Sequence, residues 1–109
     1  MKLLTRPEEL VLLAVWRLQN DAYCVPIREQ LMQVTAREWS FGAIYDPLDR
    51  LEKKGLLESF QSEPTRNRGG RSKRIYELTK NGLEALIEIR SVEEAMWKGI
   101  SKPSLKNQL

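Results

Sequence analysis

Few side chains in this 109-residue sequence could do covalent chemistry. It has no histidine and a single cysteine, Cys24. That removes histidine-based triads, Cys-His pairs and the usual zinc sets. Carboxylates are plentiful, but they stand at helical spacing among lysines and arginines, as solvated faces do. Gly69-Gly70 lacks the following Lys-Ser/Thr and the strand-to-helix setting of a phosphate loop. No enzyme activity, cofactor or metal is expected. What the chain concentrates instead is positive charge. Arg66, Arg68, Arg71, Lys73 and Arg74 fall within nine residues, around a Gly-Gly pair and with no acid among them.

Like charges so close repel one another, so folding alone gives no reason to gather them. The whole chain carries 18 basic and 15 acidic residues, a net charge of +3. Without those five cations the balance would be thirteen basic against fifteen acidic. The excess is therefore one patch, and a patch points to a polyanionic partner. Double-stranded DNA is the partner expected. An acidic protein meeting the same basic hairpin is the alternative.

The elements that must position this patch follow from local signals. Thr5 stands three residues before Glu8, the spacing of a capping box, and Pro7 suits a first helical turn. The helix that follows is apolar on more than one face, which predicts either a largely buried helix or burial by its own domain on one side and by a partner on the other. A second helix is read from Ile27, Leu31 and Val34, with Pro26 near its start. A third carries Ile44, Leu48 and Leu51 and stops at Gly55, where a left-handed residue is wanted. Its start has two readings. Either Asp46-Pro47 opens a short helix, or the helix begins near Ser40 and Pro47 sits inside it. Beyond Gly55 two apolar-alternating runs flank the turn formers of residues 64–72, which predicts a β-hairpin with a basic tip. Thr79 then caps a last helix bearing Ile89, Val92, Met96 and Ile100 on one stripe.

Three helices, a hairpin and a final helix make a mainly α fold with a small β-hairpin wing, a winged helix-turn-helix. The expected division is residues 1–78 for that domain, 79–101 for a C-terminal dimerisation helix and 102–109 for a flexible tail. Ser40, Phe41, Ala43, Ile44 and Tyr45 open the third helix and are expected to probe the major groove. Arg50 and the five wing cations are expected to meet phosphates. Val11, Ile89, Val92, Met96, Trp97 and Ile100 are expected to hold two subunits together. The lone cysteine fits a reducing compartment. The start lacks a signal-peptide pattern, and no apolar run could span a bilayer, so a cytoplasmic protein is expected.

Residues 4–96 resemble the PadR family of bacterial transcriptional regulators. Tyr45, Leu48, Leu51, Gly55 and Leu56 match the family's pattern for the recognition helix and its exit. Tyr76, Thr79 and Gly82 match the end of the wing and the turn after it. The family often places proline directly after the tyrosine; here Asp46 intervenes and Pro47 follows. The resemblance implies a homodimer that binds an inverted repeat and usually represses. It also implies dimerisation through the C-terminal helix. Some relatives bind aromatic compounds between their subunits, which makes Trp16 and Trp97 the candidate ligand residues.

Overall fold

A computed structural model describes residues 3–63 and 72–109. The wing-tip residues Arg66, Arg68 and Arg71 therefore lie outside the described residues. The elements run α1 (Arg6–Leu18), α2 (Cys24–Thr35), α3 (Phe41–Lys53), β1 (Leu57–Gln61), β2 (Arg74–Leu78), α4 (Lys80–Trp97) and α5 (Lys102–Lys106), with a 3₁₀ turn at Gln19–Asp21.

The α1 capping box forms as its spacing predicts. The Glu8 amide donates to Thr5 Oγ1 at 3.2 Å, and the Thr5 amide donates to Glu8 Oε1 at 2.8 Å. Of the two starts open for the third helix, the longer is found. Ser40 caps α3 by accepting from the Ala43 amide, and Pro47 lies inside the helix, buried, where it can give Ala43 no hydrogen bond. At the other end Gly55 takes φ 77°. Its amide donates to the Glu52 carbonyl and that of Leu56 to the Leu51 carbonyl, both at 3.0 Å. This is the paired closure that a left-handed residue permits at a helix end.

Val11, Leu12 and Val15 of α1 pack with Ile27 and Leu31 of α2 and with Ile44, Leu48 and Leu51 of α3. That triangle of helices is the core. Val11 and Ile44 are each 0% exposed, which corrects two sequence expectations. Val11 belongs to the core and not to a subunit contact, and Ile44 supports α3 from beneath instead of facing a groove. Periodicity reports that a stripe is apolar, but not which neighbour covers it. Val34, expected on the apolar face of α2, is 65% exposed.

β1 and β2 pair antiparallel, with Leu57 opposite Leu78 and Gln61 opposite Arg74. On its other edge the Tyr76 amide donates to the Ala22 carbonyl at 2.8 Å. Flanked on both sides, β2 buries the neighbouring residues Ile75 and Tyr76 together instead of alternating strictly. α4 then springs from the hairpin. Only Gly82 and Ala85 of α4 are buried, and every residue from 90 to 109 is exposed. Ser101 caps a one-turn helix, α5, by accepting from the Ser104 amide.

Candidate nucleic-acid interface

Each end of the recognition helix α3 is tied down. At its N-terminus Arg28 of α2 donates from Nε to the Trp39 carbonyl, and its guanidinium lies 4.7 Å from the Phe41 ring centroid. Trp39 in turn donates from Nε1 to Thr35 Oγ1 at 3.0 Å. The turn between α2 and α3 is thus held by side chains from both. Arg28 was not among the residues singled out from sequence, since nothing local in "PIREQL" distinguishes it from any solvated arginine.

At the C-terminal end stands the one buried charge among the described residues, Glu8 of α1, 1% exposed. Lys54 Nζ donates to its Oε2 at 2.6 Å, and Arg50 Nε approaches the same oxygen at 3.5 Å. Burial pushes the Glu8 carboxyl up, but the Lys54 hydrogen bond, the Thr5 bonds and the Lys54 charge outweigh it and hold it at about 2. Arg50 is therefore partly engaged inside the protein, which reduces its freedom to meet the phosphate expected from sequence. Asp49 pairs with Lys53 at 2.9 Å on the exposed side of the helix.

Between these anchors α3 presents Ser40, Phe41, Ala43 and Tyr45 to solvent, with Phe41 48% and Tyr45 51% exposed. The wing rises directly behind them. Its base is braced beyond the last strand pair, because the Ser62 amide donates to the Lys73 carbonyl at 2.7 Å and the Lys73 amide to Ser62 Oγ at 2.9 Å. Arg74 Nη1 donates to Ser59 Oγ at 2.8 Å, and Ser59 donates to Glu52 Oε2 on α3 at 2.6 Å. The wing base and the last turn of α3 are thereby linked through one serine. Lys73 places its ammonium 4.1 Å from the centroid of the Tyr23 ring.

Tyr45 also meets Cys24. Burial raises the Cys24 thiol above its ordinary value, while the Tyr45 hydrogen bond and the Arg28 charge pull the other way. The hydrogen bond to Cys24 raises Tyr45 in turn, and burial raises Tyr76. All three groups hold their protons at neutral pH, and in the pair Tyr45 donates to Cys24.

The C-terminal surface is of another kind. Val92, Met96, Trp97 and Ile100 are 50%, 73%, 47% and 48% exposed, and Ile89 is half-buried. With Leu4, just before α1, four of these residues line an open cavity of about 270 Å³: Ile89, Val92, Met96 and Trp97. Trp16 lines a different and smaller cavity beside Leu78 and Leu83. The two tryptophans expected at one ligand site are thus apart within the protomer. Among the described residues no group of three or more acidic, histidine or cysteine side chains could hold a metal ion. None of the described helices is long and apolar enough to cross a membrane.

A helical triangle, a capped third helix with a solvent-facing start and a two-stranded ribbon behind it define a winged helix-turn-helix protein. Residues 12–88 match the transcriptional regulator PadR-like family, so the chain belongs to that family of DNA-binding regulators. Among solved structures it is similar to a PadR family transcription regulator from hypervirulent Clostridium difficile, at 31% identity and TM-score 0.59, covering 88% of this chain and 97% of that one. A PadR family regulator from Eggerthella lenta is 25% identical with TM-score 0.64, over 84% and 77% of the two chains. H. salinarum RosR shares the fold at 22% identity and TM-score 0.68, over 96% and 87%. No curated protein sequence matches the chain.

Proposed function

We propose that the chain is a dimeric repressor of the cytoplasm that binds an inverted-repeat operator and carries no enzymatic activity. The observation that carries this reading is the exposed start of α3 immediately in front of a cationic hairpin. Ser40, Phe41, Ala43 and Tyr45 enter the major groove, and Lys73, Arg74 and the arginines at 66, 68 and 71 neutralise phosphates. So mostly apolar a reading face selects methyl groups and groove shape more than it donates hydrogen bonds. The exposed apolar stripe of α4 supports the dimer, since an ordered helix with so little burial of its own needs a second surface. Two recognition helices so paired lie about one DNA turn apart, roughly 34 Å. An aromatic effector held between subunits would meet Trp97, which stands on that stripe, and not Trp16.

Fluorescence anisotropy on the DNA upstream of the protein's own gene tests this reading. Sequence-selective binding whose logarithm falls steeply with the logarithm of salt is expected. A flat salt response, or equal binding to any duplex, would overturn it in favour of a protein partner for the basic hairpin.

A further inference from the structure

Between α3 and the wing lies an open cavity of about 460 Å³. Its walls come from three elements: Tyr23 and Cys24 at the start of α2, Tyr45 from α3, and Lys73, Arg74 and Tyr76 from the wing. Among the described residues none that lines it is a carboxylate, in a chain where acids number fifteen. Its charged groups are two cations, Lys73 and Arg74, so the cavity is built for a negative charge. α2 opens here with no side chain capping it, which leaves the positive end of the helix facing the same space. The volume exceeds what a bare oxyanion needs and suits a sugar with its phosphate.

Geometry identifies the source. A recognition helix in the major groove and a wing in the adjoining minor groove stand on either side of one sugar-phosphate strand. That strand must pass over whatever lies between the two elements. We infer that this cavity is the seat of the straddled strand, receiving one deoxyribose-phosphate unit per protomer. Lys73, held over the Tyr23 ring, is the charge that meets the phosphate, and the Tyr45 hydroxyl, bonded to Cys24 in the free protein, turns to donate beside it. The seat fixes how deeply α3 enters the groove, because the same strand cannot be lowered without driving it into the tyrosine floor. The inference rests on the DNA-binding reading above and adds Tyr23 to it as a positioning residue.

The test uses the full chain and the shortest upstream duplex that it protects from cleavage. Single phosphates of that duplex are replaced in turn by neutral methylphosphonates, and affinity is measured for the parent and for Lys73→Met. The methionine keeps the chain over the Tyr23 ring and removes only the charge, and a circular dichroism melt checks that the fold is kept. One position per half-site is expected to lower the parent's affinity about tenfold and Lys73→Met hardly at all, with the variant's salt slope smaller by about one per protomer. Tyr45→Phe should show a smaller loss coupled to the same position. Losses that add at every position, or an unchanged salt slope, overturn the seat while leaving DNA binding standing. If the unmodified duplex is not bound by the parent at all, the DNA-binding reading itself has failed, and the seat falls with it.

Discussion

Replacing Glu8 with glutamine should show how strongly one buried carboxylate holds the recognition helix. Glutamine keeps an oxygen for the Thr5 amide but removes the charge that faces Lys54 at 2.6 Å and Arg50 at 3.5 Å. A carboxyl lowered from 4.5 to about 2 favours the ionised folded state by about 3 kcal/mol. The Lys54 and Arg50 side chains are 38% and 47% exposed, so solvent screening reduces the expected loss to about 2 kcal/mol. The sign with pH follows from the direction of the shift. A carboxyl lowered on folding contributes stability that is complete above its unfolded value near 4.5 and disappears as pH falls through about 2. Urea unfolding of parent and Glu8→Gln, at one fixed protomer concentration, should therefore give curves separated by a constant amount above pH 5. They should converge between pH 4.5 and 2. Curves that stay parallel through that window, or a variant as stable as the parent at pH 7, would refute the reasoning.

Four further outcomes are expected. Gly82→Ala should cost about 3 kcal/mol or more in a thermal melt, because its new methyl would stand 2.1 Å from the Leu56 carbonyl oxygen. Gly55→Ala, with open space but φ 77°, should cost only about 1 kcal/mol, so the order of the two melting points checks clash against strain. Thr79→Ala should lose about 1–2 kcal/mol, since its hydroxyl both accepts from the Gly82 amide and donates to the Gly55 carbonyl. Met96→Asp should leave the protomer's circular dichroism unchanged and yield monomers in sedimentation, because the side chain is 73% exposed in the protomer and would be uncompensated in an apolar contact.

What could be read from the sequence was local. Thr5 with Glu8, Ser40 before an apolar run, Gly55 after one, and Thr79 before the last helix each act within a few residues, and each is found in its expected role. The hairpin was legible from turn formers between alternating runs. Pro47 left two starts open because proline is as suited to a first turn as it is costly inside a helix. Tertiary packing decides, burying Pro47 and Leu48 against α1 and α2 so that the longer helix survives the lost bond. The pairing of Glu8 with Lys54 spans 46 residues, and no spacing rule reaches that far. Arg50 was read as meeting a phosphate or a nearby surface acid, and the distant acid it approaches, Glu8, was for that reason not named. α5 did carry a local signal, Ser101 followed by Pro103, which the sequence reading did not take up. In the candidate interface, the start of α3 and the wing cations could be named from sequence. The cavity between them could not, since it draws on α2, α3 and the wing at once.

The junction at Thr79 has a mechanical consequence. α4 begins against the Leu56 carbonyl, in the turn between α3 and β1, with no room there for a single methyl group and two hydrogen bonds bolting the corner. An 18-residue helix is about 27 Å long, so a sideways push at Trp97 bears on that corner through a long arm.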